Sequence, residues 1–586
     1  MARFLKQFAV IGAAVAALGA GLAGGTVVPV SVAGAQESTA PTCAADGSVQ
    51  TMTGTVSADQ AKTYLLLPFE VPEGATRVEV GYSWAPSEGT TLDLGLWDAS
   101  GTSGPDAFRG WGGSRQGRLD KGMPRAWVSA ETADRAFTPG DIEPGTWNVE
   151  LGLAEIAAEG ATYTVEISCS DGPAGRETPA DPVDADHVAN PDPGWYRGDF
   201  HMHSWNSLPE APDYEGTVQY GRDAQLDIMP ITEYVVTRHH RELGAVQRAN
   251  PDVLIWPGRE VITYFGHAIV LGETPNTIEY REGFDGVTLR GIQRDSIADG
   301  ALFGVAHPTV FPEAEFGSLC RGCEFQLSDD IDWDAVTTLE LVTNTPVVGD
   351  VENPFIQTAI DYWQGLLDAG HRITAVSGSD DKRGPALGST ATMVYAKELS
   401  RGAVTEALEA GHTYIQVRGA ADSPTVEFTG ASGGAEAMMG DSLRADSVSF
   451  SATVRDGDGQ TLHIIRNGAE VESVPVVGSE FTYTWDAERG EDGGGLGTTV
   501  RIEVSDATSR TVITNPIFLV DHEPSPTTEA VSPTTEAAAP EPLGNAAGDD
   551  GSPAALIAGI AVALVALVVG GVAVGRRGRS GTSGVS

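Results

Sequence analysis

Positive charge is what this sequence has least of. Over 586 residues, 36 Lys and Arg stand against 81 Asp and Glu, a formal charge of −45. No block of the chain strongly reverses that sign. Phosphate backbones are held through clustered cations, so a nucleic-acid partner is not expected. Cysteine is scarce too, with four in all. Cys320 and Cys323 form one CxxC, yet no second CxxC or nearby His pair supplies the other two ligands of a structural zinc site. No Ser-His-Asp or Cys-His arrangement for nucleophilic catalysis is evident, so a hydrolytic activity would need its nucleophile from elsewhere.

Long charge-free runs are confined to the two ends. Arg3 and Lys6 precede an apolar stretch over 8–23 and the small-residue triplet Ala33-Gly34-Ala35, which reads as a signal peptide over 1–35. Residues 554–574 are apolar or glycine throughout, about the 20 residues needed to cross a bilayer core of ~30 Å. Arg576, Arg577 and Arg579 follow and belong on the cytoplasmic side. The expectation is a cell-membrane protein with a single C-terminal helix, its N-terminal region outside and a short tail, 575–586, inside.

An exported chain meets oxidising conditions, so the cysteines are read as disulfides. Pairing of Cys43 with Cys169 would close a loop of over 100 residues, worth about 4–5 kcal/mol on the chain-entropy estimate. Cys320 and Cys323 read as a small disulfide at a loop tip.

Texture divides the rest. Residues 43–170 hold short β-branched and aromatic runs between Gly, Pro, Asp and Ser, the pattern of an antiparallel β-sandwich. Residues 171–194 are a proline-rich acidic linker. From 195 to 420 strands alternate with helix-like segments, and 422–521 returns to short strands of immunoglobulin-like character. Residues 522–552, with the near-repeat Pro-Thr-Thr-Glu-Ala, are a disordered stalk.

Six of the eleven histidines fall between His201 and His307. His201 and His203, at i and i+2 on an extended segment, point to the same side. Apolar runs also end at Glu260, at His307 and at Asp380. In a barrel of parallel strands those ends open onto one face. Imidazole and carboxylate without thiolate suit Zn, Mn or Fe with water still bound. Glu340, at another strand end, is either a carboxylate orienting a ligand histidine or a plain surface acid. His239 and His240 read as solvated loop residues or as a substitute ligand. His187, His371, His412, His463 and His522 have no partner pattern.

The segments Asp199-Phe200-His201-Met202-His203-Ser204, Gly258-Arg259-Glu260, Gly266-His267, Ala306-His307-Pro308 and Gly378-Ser379-Asp380 resemble, in order and spacing, the motifs of the PHP (polymerase and histidinol phosphatase) superfamily. The stretches 384–395 and 403–414, with the preceding sandwich, look most like its carbaryl-hydrolase-like branch. The resemblance covers roughly 195–420. It implies a distorted seven-stranded (β/α) barrel and a multinuclear metal centre that activates water on an ester or phosphoester.

Carried over by position, the resemblance gives one divalent ion to His201, His203, Glu260 and Asp380, and a second to Glu260, His267 and His307, with Glu260 bridging. Asp199 and Glu340 are the candidates to stand behind the ligands. The family's Thr-Asp-His segment reads Thr232-Glu233-Tyr234 here, and its Asp-x-His reads Asp380-Asp381-Lys382. Both histidines of a third site are replaced, so two ions per chain are expected. Arg238, Lys382 and Arg383 are the cations expected to meet charge developing on substrate. The flanking sandwiches are expected to position the barrel or to bind surface glycans. A different class stays open: a catalytically degenerate PHP scaffold serving adhesion or carbohydrate binding, motivated by Tyr234 and Lys382.

Overall fold

A computed structural model describes residues 40–114, 123–172, 176, 178–272, 279–317, 320–490 and 496–520. The expected signal peptide, stalk, transmembrane helix and tail lie outside the described residues. Among the described residues no helix is long and apolar enough to cross a membrane. The chain is multidomain and mostly sheet.

The N-terminal part is two antiparallel four-stranded sheets, one built on Arg77–Ala85 and Ala161–Ser170, the other on Thr91–Trp97 and Gly145–Glu155. Val78, Val80, Leu94, Leu96, Val149, Leu151 and Val165 fill the space between them. Ala161–Ser170 alternates buried with less buried positions, the period-2 signature of a strand with one wet face. Thr91–Trp97 is buried at every position. Its outer face is covered too, since Trp97, Phe108 and Trp111 share a core with Val261, Tyr280 and Phe303 of the central part. Disulfides join Cys43 to Cys169 and Cys320 to Cys323.

In the central part Gly194–Gly198, Ile228–Tyr234 and Leu254–Ile262 pair in parallel, as do Leu302–Val305, Thr338–Thr343 and Thr374–Gly378. The expectation of all-parallel strands fails between these two groups. His267–Leu271 runs antiparallel to both of its neighbours. The physical reason is the four-residue connection from Ile262 to His267, far too short for a parallel crossover. The last parallel strand and the residues after it meet the segment that follows the first: Phe200 N donates to Ser377 O at 3.1 Å, and Asp380 N to His201 O at 2.8 Å.

Helices cover the sheet and are capped by their sequence. The helix Pro354–Ala369 starts with Asn353 accepting from Phe355 N, has Pro354 in its first turn, and stops at Gly370 with φ +105. It buries Ile356, Ile360, Trp363 and Leu367. Ser400 caps Arg401–Ala410 in the same way.

The described residues 178–194 are tied to the central part. Val188–Asn190 pairs with Leu399–Ser400, and Asp181 N donates to Arg241 O. Nor does the sheet end at 420–422, because Thr413–Gln416 pairs with Arg510–Thr514. A second sheet, built on Thr425–Ser432, Ser447–Arg455 and Glu480–Glu488, closes a common core through Val426, Phe428, Phe450, Ile464 and Ile502.

Candidate metal centre

The six expected ligands converge. Glu260 lies at the centre, in the strand Leu254–Ile262, and uses its two oxygens differently. Oε2 faces Nε2 of His201 and of His203, each at 3.3 Å, while Asp380 Oδ1 lies 3.3 Å and 3.1 Å from the same two nitrogens. Oε1 faces the other way, 2.9 Å from His267 Nδ1 and 3.4 Å from His307 Nε2. The four ligand atoms of His201, His203, Glu260 and Asp380 all lie within 4.8 Å of one another, and so do those of His267, His307 and Cys323. The antiparallel hairpin explains how His267, at the start of its strand, reaches the face that the other ligands reach from strand ends.

Hydrogen bonds set the imidazole tautomers. His201 Nδ1–H donates to Glu340 Oε2 at 3.1 Å, so Nε2 is the nitrogen turned to the centre. His203 Nδ1–H donates to Ser207 Oγ at 2.8 Å, since that hydroxyl gives its own proton to Glu233 Oε2. His267 Nε2–H donates to the Arg321 carbonyl at 3.1 Å, which frees Nδ1. Such partners fix ring orientation and raise ligand basicity. Glu340 is therefore not a surface acid; it is 3% exposed and also accepts from the His307 amide at 3.2 Å. Asp199 is a clamp, accepting from the amides of His201, Ser379 and Gly388. Burial pushes its carboxyl up to about 6 against the pull of those bonds.

The donor set fits divalent ions. His201 Nε2 and Glu260 Oε2 are buried with no hydrogen-bond partner among the described residues, a costly state that a cation between them relieves. Burial works against charge on Glu260, yet the neighbouring His201, His203 and His267 hold the carboxyl well below its ordinary range. Burial likewise works against charge on His201, but Glu260, Asp380 and Glu340 outweigh it and raise the imidazole well above its usual value. Lys382 is the cation in direct contact, ion-paired with Asp380. Two ligand residues sit in the left-handed region that favours glycine, His307 at φ +29 and Asp380 at φ +49. Strain of this kind gathers where geometry is held for function. Gly378 lets the strands close, because a Cβ there would lie 2.2 Å from His201 Cβ.

Other expected residues lie elsewhere. Arg238 donates to Glu242 and to the carbonyls of Ala133, Asp134 and Phe137, and stacks on Trp205, so it ties the N-terminal part to the central one. Arg383 is exposed, and its amide donates to Asp381. His239 and His240 are not solvated: they are 0% and 5% exposed, and His239 Nε2 bonds the Gly258 carbonyl. Neither joins a ligand group. Glu233 and Ser207 were not anticipated. A serine four residues after a ligand histidine, outside any helix, carries no periodic signal.

A cavity of ≈ 280 Å³ opens beside His267, lined by Trp111, Arg135, Tyr234, Tyr264 and Arg321 among others. Trp111 and Arg135 come from the N-terminal part. Trp111 meets Tyr234 edge to face, with centroids 6.2 Å apart.

No protein-family model matches the chain, and no curated protein matches it. Among solved structures it is similar to a two-domain protein from Bacteroides vulgatus containing a predicted PHP-like metal-dependent phosphoesterase, at 17% identity over 59% of this chain and 100% of that one, with a TM-score of 0.30. A lesion-specific endonuclease from Pyrococcus furiosus matches at 13% identity, over 38% of this chain and 58% of that one, TM-score 0.26. PsfC from Pseudomonas syringae matches at 14%, over 38% and 90%, TM-score 0.25. At these values the functional reading rests on the geometry of the centre.

Proposed function

We propose that this chain is a metal-dependent hydrolase of PHP type, nearest the carbaryl-hydrolase-like branch, whose dinuclear centre cleaves an ester or phosphoester. The observation that carries the reading is Glu260, with one carboxylate oxygen turned to each ligand group. On this reading the central strands form a distorted (β/α) barrel and the C-terminal sheets an immunoglobulin-like domain. The sequence of the two ends supports a location at the cell surface, held by residues 554–574.

Two bound divalent ions would supply hydroxide at neutral pH, by lowering the pKa of water from about 15.7 toward 7, and would polarise the scissile oxygen. The residues do the rest. His201, His203 and Asp380 would hold one ion, His267 and His307 the other, and Glu260 would serve both. Glu340 and the Glu233–Ser207 pair keep His201 and His203 turned inward. Lys382 brings positive charge to the Asp380 side, where an anionic substrate would rest. Trp111 of the N-terminal part and Tyr264 of the central part wall the cavity and would limit water around the substrate.

The test is metal analysis of the purified protein coupled to a screen of aryl phosphates, aryl esters and oligonucleotides, with Zn, Mn or Fe supplied. Bound metal with cleavage of an ester or phosphoester is the expected result. Protein that binds metal and cleaves none of them would leave the degenerate scaffold; protein that binds no metal would sink the reading altogether.

A further inference from the structure

The segment Cys320-Arg321-Gly322-Cys323 lies directly on the second ligand group. At one end the Arg321 carbonyl accepts from His267 Nε2 at 3.1 Å. Gly322, at φ +78, makes that approach feasible: a Cβ there would come within 2.3 Å of Thr263 O and 2.8 Å of His267 Nε2. At the other end Phe325 N donates to Pro308 O at 2.8 Å, which ties the chain after Cys323 to the residue following His307. Cys323 is held between these ties, 7% exposed, with its sulfur within 4.8 Å of one ring nitrogen of His267 and one of His307. That sulfur is also bonded to Cys320.

We propose that the Cys320–Cys323 disulfide is a redox mask over a fourth protein ligand of the second ion. The inference rests on the metal-centre reading above and adds a regulation to it. A disulfide sulfur carries no thiolate charge and is a poor metal donor, so in the oxidised chain the second position has three protein groups: His267, His307 and Glu260. A hydrolytic centre keeps such a position open, whereas four protein ligands make a closed, structural one. Reduction supplies the fourth. A dithiol reductant attacks one sulfur of the pair, the S–S bond breaks, and the mixed disulfide is resolved by the reductant's second thiol. Two electrons pass to the protein, two cysteine thiols result, and the reductant leaves as a disulfide. Cys323 then gives its thiol proton to solvent and its thiolate to the ion, filling the place that water needs.

Access favours this pair over the other. Cys320 is half-buried and borders the cavity, while Cys43 and Cys169 are each 1% exposed. Mild reduction of the folded protein should therefore yield two thiols and not four.

The experiment titrates cobalt(II) into metal-free full-length protein, with and without a dithiol reductant. The readouts are the thiolate-to-cobalt charge-transfer absorption and the pattern of alkylation by mass spectrometry. Cobalt should bind both forms, but only the reduced form should develop the charge-transfer band, with Cys320 alkylated and Cys323 shielded. Cys320→Ser should show the band without reductant, and Cys323→Ser should show it under neither condition. Cobalt bound to both forms with no band, and with both thiols alkylated, overturns the inference and leaves the metal centre standing. No cobalt bound by either form overturns the metal-centre reading itself. The wild-type comparison needs no substitution, so a variant that fails to fold does not blunt it.

Discussion

Lys382 holds its ammonium 5.4 Å from the ring centroid of Tyr234. These are the two residues standing where the PHP resemblance places histidines of a third ion. They touch, so the two departures from that pattern meet at one place. Tyr234 also packs on His203, with centroids 4.6 Å apart, so its ring occupies space beside the first ligand group.

Lys382→Ala should keep both metals and lose about 1.5–3 kcal/mol of interaction with an anionic substrate, the range of a hydrogen bond to a charged group. Neutral esters should change little. The comparison of kcat/KM on matched aryl phosphates and aryl esters decides it; equal losses on both would rule out an anion-holding role. Lys382→His should recruit a third ion only together with Tyr234→His.

Metal content should be two ions per chain, and His201→Ala with Asp380→Ala should retain none at the first site. Added metal should raise thermal stability by mass action, about 2.7 kcal/mol at a hundredfold excess over Kd. A stoichiometry of three in the native protein would show that a ligand has been overlooked.

Glu340→Ala should weaken metal binding at the first site by about 10–100-fold, the usual cost of losing the partner of a ligand histidine. It removes the acceptor of His201 Nδ1 and of the His307 amide together. Isothermal titration of zinc into metal-free protein measures this, and unchanged affinity would make Glu340 a bystander.

Arg281→Ala should destabilise the protein by about 3–5 kcal/mol, because it leaves a buried carboxylate without its charge partner. Arg281 is 1% exposed and reaches Glu150, at 0%, across the contact between the N-terminal and central parts, where Trp97 and Tyr280 also donate to Glu150. Urea denaturation reads the loss. A change under 1 kcal/mol would mean that the contact between the two parts does not depend on this pair.

A chain truncated after Asp521 should be secreted and soluble, and the full-length chain should stay in the membrane fraction. Full-length protein recovered from the medium would defeat the anchor.

The sequence by itself determined which imidazoles and carboxylates end the central strands. His201 and His203 at i and i+2, and Glu260, His307 and Asp380 each closing an apolar run, are local patterns, and backbone geometry converts them directly into side-chain directions. Capping at Asn353 and Ser400 is equally local. Only the tertiary structure decided what surrounds those ligands. Ser207 reaches His203 through a turn, Glu340 serves two segments at once, and Cys323 arrives from a loop tied to both His267 and Pro308. His239 and His240 read as solvated residues or a substitute ligand because a short polar stretch reads as surface, and the fold buries them. Arg238 looked like a substrate cation and is spent on carbonyls of a domain about a hundred residues earlier in the chain. The sandwich that walls the cavity is recognisable strand by strand, but which face it turns to the centre depends on contacts between residues far apart in sequence. Periodicity reports burial of a face and not the identity of its partner, which is why the centre was legible and its surroundings were not.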